Sequence, residues 1–130
     1  MSNSRDDRGS VSAFVLGLVM TFVACAGLAV DGGRVISARI RAADRAENAA
    51  RVGAQAVTNI RLGIPRVDQQ GAVRLAHKFL LTSGAHGSVT ANGVEVCVIV
   101  EASVSMTLLA LIGTTPRRVV VERCARPVTE

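Results

Sequence analysis

Residues 10–30, from Ser10 to Val30, run for 21 positions without a charged side chain. Wound as an α-helix, such a run extends about 31 Å, close to the roughly 30 Å hydrocarbon thickness of a bilayer. A surface helix of a soluble domain carries a polar stripe; here the polar positions are only Ser10, Ser12 and Thr21. The run reads as a single-pass transmembrane helix in the cell membrane. It also fits a cleaved secretion signal, with Arg5 and Arg8 as the charged region. Ala24-Cys25-Ala26 or Gly27-Leu28-Ala29 would then be the small-residue cleavage site. A lipid-modified Cys25 fits less well, because Phe22 precedes it and the apolar run continues past it. Downstream lie Arg34, Arg39, Arg41 and Arg45. Taken alone, these arginines favour a cytoplasmic C-terminal side.

Within the run, small residues recur at every fourth position: Ala13, Gly17, Thr21, Cys25 and Ala29. Such a row lets a second helix approach closely in lipid, although small residues are abundant throughout the segment. Residues 31–61 form an amphipathic helix, regular from about Arg34 to Arg61. Ala43, Ala46, Ala50, Gly53, Val57 and Ile60 make one stripe, and Glu47–Arg51 is a favourable i,i+4 pair. The stripe either covers a small core or packs against copies of itself. Asp31-Gly32-Gly33 is either a joint between two helices or part of one helix from Ser10 to Arg61, about 78 Å long. Gly63 and Pro65 terminate it.

Residues 62–130 carry the signature of a small α+β domain. Asp68 is placed to cap a short helix whose apolar face is Ala72, Leu75, Ala76, Phe79 and Leu80, and Gly84 ends it. The period then changes to two. Val94, Val96, Val98, Val100, Ala102 and Val104 alternate with Glu95, Cys97, Ile99, Glu101, Ser103 and Ser105, the pattern of a half-buried strand. Asn92-Gly93 predicts a two-residue hairpin turn from a short strand at Ser88–Ala91. An apolar connector and a strand at Arg117–Arg126 complete a three-stranded antiparallel meander. The expected architecture is therefore α+β: a long N-terminal transmembrane and amphipathic helix, a short helix, and a small sheet.

Chemistry is sparse. The net charge is +5, from fourteen Arg and one Lys against ten acidic residues. The arginines are dispersed and no aromatic residues interleave them, which argues against nucleic-acid binding. His77 and His86 have no acidic or thiol partner at a useful spacing. No metal motif, phosphate-binding glycine pattern or nucleophile elbow is present. The expectation is a non-enzyme with no catalytic residues, no metal and no cofactor. Cys97 and Cys124 are either a disulfide, which would place the domain outside the cytoplasm, or two unrelated thiols. Pairing them sets Glu95 opposite Arg126 and Ser103 opposite Arg118, an arrangement with favourable cross-strand charge. The bridge would be worth about 3 kcal/mol in the chain-entropy model. Cys25 would stay in the lipid, unpaired.

The stretch RGSVSAFVLGLVMTFVACAGLAVDGGRVISARIRAADRAENAARVGAQAV, Arg8 to Val57, resembles the TadE/TadG-like minor pilins of the tight-adherence (Flp) pilus system. The tail is similar too: an alternating Val/Ser strand, TLLALIG, and a valine-rich last strand. The resemblance implies a leader of residues 1–9 that remains cytoplasmic, cut between Gly9 and Ser10 by a membrane peptidase. The domain would then face outward despite the arginines. It implies other pilin-like or Tad assembly subunits as partners, homo-oligomer formation, and a place in the membrane or in an extracellular pilus. Phe14 departs from the pattern, since many such pilins have Glu at that mature position. The alternative from the residues alone is a secreted or membrane-anchored ligand-binding domain with a cleaved signal sequence.

Overall fold

The computed structural model describes residues 8–63 and 65–128. Arg5, Asp6 and Asp7 of the expected leader lie outside this range. One helix, α1 (Arg8–Ala54), runs unbroken for 47 residues, about 70 Å. Asp31-Gly32-Gly33 is therefore not a joint; Gly32 and Gly33 sit in regular helix. The first half of α1 stands free, and the second half carries the rest of the fold. The order thereafter is β1 (Val57–Thr58), β2 (Arg66–Val67), α2 (Gln69–Thr82), β3 (His86–Ala91), β4 (Val96–Val104) and β5 (Arg117–Ala125). Short 3-10 turns occupy Ile60–Leu62 and Leu109–Ile112.

The core lies where α1 crosses α2 and the β3-β4-β5 sheet. The α1 face that meets it is almost entirely alanine: Ala38, Ala42, Ala46, Ala49, Ala50 and Ala54 are buried. Alanine offers little apolar area, but it lets backbones approach closely. A Cβ added at Gly53 would lie 3.0 Å from Val96 Cγ1 and 3.1 Å from the Ala72 carbonyl oxygen. The larger apolar groups come from the sheet. Val96, Val98, Val100 and Val104 of β4 and Val119 and Val121 of β5 point inward, each worth about 1.5–3 kcal/mol when fully buried. From α2, Ala72, Ala76 and Leu80 join them. Phe79 is half-buried, whereas Leu75 is exposed and does not belong to that face.

The long helix ends at Ala54 rather than at Arg61. The chain has to turn there, because Val57 pairs with Val67 and Thr58 with Arg66, and the Ala56 carbonyl accepts from Asp68 N–H at 2.8 Å. Val57 and Ile60 accordingly leave the α1 stripe, and Ile60 is exposed. Asp68 occupies the N-cap position of α2 but makes no side-chain capping bond. Gly84, at φ 64°, closes α2 with Ala85 N–H on the Leu80 carbonyl and its own N–H on the Leu81 carbonyl, a left-handed cap suited to glycine.

The meander is present, with one difference at its first turn. Ala91 pairs with Val96, so the β3–β4 loop has four residues instead of two and leaves Val94 exposed. The primed turn expected of Asn-Gly needs positive φ at both positions, and neither Asn92 nor Gly93 adopts it. The Asn92 side chain builds the loop instead: Oδ1 accepts from Val94 N–H and Glu95 N–H, both at 2.8 Å.

Close packing at Gly53 generates a prediction. Gly53→Val should destabilise the domain by about 1–3 kcal/mol through overpacking, read as a lower urea midpoint by circular dichroism in detergent.

Candidate functional site

Three features bear on function: the free half of α1, the junction where the domain meets it, and the outer face of the sheet. The free half is long and apolar enough to cross a membrane, and only 6% of its most apolar window is buried. A soluble core helix would be covered. Val11, Phe14, Val15, Leu16, Met20, Phe22 and Val23 are all more than half exposed. Ala13, Gly17, Thr21, Cys25 and Ala29 are exposed along it, and a Cβ at Gly17 would meet nothing within 4 Å. The row is thus open to a neighbouring helix. Thr21 Oγ1 donates to its own helix at the Gly17 carbonyl, 2.9 Å away. Gly9 and Ser10 lie inside the first turns of α1.

The junction rests on Asp31, which sits one residue beyond the uncharged run and is fully buried. The β4–β5 connection folds back onto it. Asp31 Oδ1 accepts from Thr107 N–H at 3.0 Å, and Oδ2 accepts from Leu108 and Leu109 N–H at 2.9 and 2.7 Å. Two of these donors begin the 3-10 turn at Leu109–Ile112, so the carboxylate caps that turn from another element. Arg34, one turn along α1, donates to Thr107 Oγ1. One turn the other way, Gly27 gives room to Leu108: a Cβ there would stand 3.3 Å from Leu108 Cβ. The Leu109 amide bond, together with those from Thr107 and Leu108 and the charge of Arg34, lowers the Asp31 pKa, against the opposing effect of desolvation. Sequence reading missed this latch. Gly27 and Asp31 are two positions away from Cys25 and Ala29 respectively. Two helical positions are about 200°, so at the level of the latch Cys25 and Ala29 lie on the nearly opposite face; the row winds about 40° per step, and its far end at Ala13 returns to the latch's side of the helix.

On the outer face of the sheet, Cys97 stands opposite Cys124, with Cα atoms 4.0 Å apart and the sulfurs bonded. Ser103 faces Arg118 in the same register. Arg126 Nε lies 3.2 Å from Glu95 Oε2, and Arg118 reaches Glu101 diagonally at 3.7 Å. Cys25 is free and exposed. The one group of metal-capable side chains among the described residues is Cys97, Glu122 and Cys124. Its two sulfurs are consumed by the bridge, leaving one carboxylate, too few ligands for a metal centre. His77 and His86 are both exposed. Arg34, Arg41 and Arg45 line an open groove of about 570 Å³ with His86, Glu101 and Ser103.

Two predictions follow from this geometry. Replacing Cys97 and Cys124 by serine should lower stability by about 3 kcal/mol, measured by denaturant unfolding against the oxidised protein. The Asp31 pKa is depressed in the fold, so its contribution is full above the unfolded value near 3.8. It is lost as pH falls through the folded value. The melting temperature of wild type should exceed that of Asp31→Asn at neutral pH, and the gap should close as pH drops below 3.8.

Residues 9–56 match the family described as putative Flp pilus-assembly TadE/G-like. The match spans almost all of α1 and the two residues after it. No curated protein and no solved structure matches the chain.

Proposed function

We propose that this chain, similar over residues 9–56 to the TadE/G-like Flp pilus-assembly family, is a membrane-anchored, pilin-like assembly component of a tight-adherence pilus or a related secretion apparatus. The observation that carries the reading is the match itself, on a helix whose apolar half is bare and whose other half is the spine of a small domain. That division is what an anchored assembly subunit needs. Lipid or neighbouring helices take the bare half, and the domain is held at the membrane surface.

The role is structural rather than catalytic. Partners are other pilin-like or Tad assembly subunits, with self-association through the row from Ala13 to Ala29. The row favours this reading because it lies on the bare half of α1 and its members level with the latch, Cys25 and Ala29, face away from it, so a second helix can approach there without displacing the latch. An outward-facing domain agrees with the Cys97–Cys124 bridge, which an oxidising compartment maintains. The arginines beyond the membrane then have local partners, such as the Arg34–Thr107 contact.

Cleavage between Gly9 and Ser10 fits this reading. Intact-mass measurement of protein purified from cells containing a prepilin peptidase should give a chain beginning at Ser10. A terminus near Gly27 or Val30 would instead support the secretion-signal alternative, and it would cut α1 beside Asp31. Replacing Leu18 and Val19 by Arg should shift the protein out of the membrane fraction, each charge costing roughly 2.5–3.5 kcal/mol at the helix centre. Recovery of unprocessed wild type entirely in the soluble fraction would contradict the anchor.

A further inference from the structure

The β4–β5 connection has no charged residue between Glu101 and Arg117. Its tip is held beside the membrane-spanning run. Leu108 lies on Gly27, which is four positions, about 6 Å, inside the run from Asp31. Leu111 points away from the protein and is 83% exposed, and Leu108 retains 37% exposure. An apolar tip in water would gain nothing by being fixed in this way.

We infer that this connection is a second membrane contact: the tip at Leu108–Leu111 lies in the interfacial layer of the bilayer, beside the end of the transmembrane helix. The inference rests on the membrane-spanning reading of residues 10–30, with which the tip is continuous. Backbone chemistry supports it independently. Lipid offers no partners to peptide groups, so irregular backbone near the hydrocarbon must satisfy them internally. Here Thr107, Leu108 and Leu109 N–H donate to Asp31. Leu111, Gly113 and Thr114 N–H donate to the carbonyls of Leu108, Ala110 and Leu109. Charge is ordered to match: Arg34, on the helix beyond Asp31, reaches Thr107 at the edge of the tip, and Arg117, in register with Val104 where β5 begins, is the first charge after the connection; phosphate headgroups would lie at this level. A helix with one added apolar contact cannot swivel freely, so the sheet would hold a fixed orientation over the membrane.

The test uses the full chain with Cys25→Ser, leaving the other two cysteines in their bridge. A fluorophore that brightens in apolar surroundings is attached at Leu111→Cys, at Val19→Cys as membrane control, or at the exposed Gln70→Cys as solvent control. Each protein is reconstituted in phosphatidylcholine vesicles. Quenching is compared for a lipid with a nitroxide high on its chain and for aqueous iodide. The lipid nitroxide should quench position 111 at least about twofold more than position 70, as expected for groups several ångströms into the interface. Iodide quenching equal to that at position 70, with position 19 still protected, would overturn the inference while leaving the anchor intact. Protection of position 111 from both quenchers would also overturn it, in favour of a protein partner on the tip. Exposure of position 19 to iodide would overturn the anchor and the inference together.

Discussion

A single buried carboxylate joins the two halves of this molecule. Asp31 is the first charge after the apolar run, and it accepts three backbone amides from a connection 76 to 78 residues away. Without that acceptor, three amides at the tip would lose their partner, which is costly wherever water does not replace it. With it, the β4–β5 connection is pinned to the helix at the level where the membrane would end. The sheet is consequently tied to α1 at both extremes: by Asp31 near the apolar run, and by the close contact of Gly53 with Val96 at the other end.

The alanine face between these points explains how so small a domain can be coherent. It trades side-chain area for proximity, so the sheet's valines reach the helix backbone. The polar face of the same helix carries arginines that line a groove against β3 and β4. The bare half of α1 keeps its small-residue row clear of the domain. The domain and the small-residue row therefore occupy different lengths of one continuous helix.

Much of this was legible in the sequence. The register of β4 against β5 could be read because two cysteines and an opposite-charge pair coincide in one alignment. The uncharged run announced, by its length, a helix long and apolar enough to cross a membrane. Where reading failed, a side chain or a distant segment intervened. Asn92 turned its own carboxamide onto the next amides and lengthened the loop. Residues 55–61 favour helix locally, but pairing of Val57 with Val67 draws them out of it. The latch was beyond sequence reading because its donors are backbone N–H groups, which carry no residue signature. The one available hint was a lone aspartate at the end of an apolar helix.

The central claim is that Asp31 fastens the β4–β5 connection to α1 at the end of its apolar run. Amide hydrogen exchange at Thr107, Leu108 and Leu109, measured on the full chain in lipid nanodiscs, tests it most directly. The account predicts slow exchange at all three in wild type and fast exchange in Asp31→Ala, with the amides of β4 protected in both. Fast exchange at these three amides in wild type, or protection unchanged by Asp31→Ala, would contradict it.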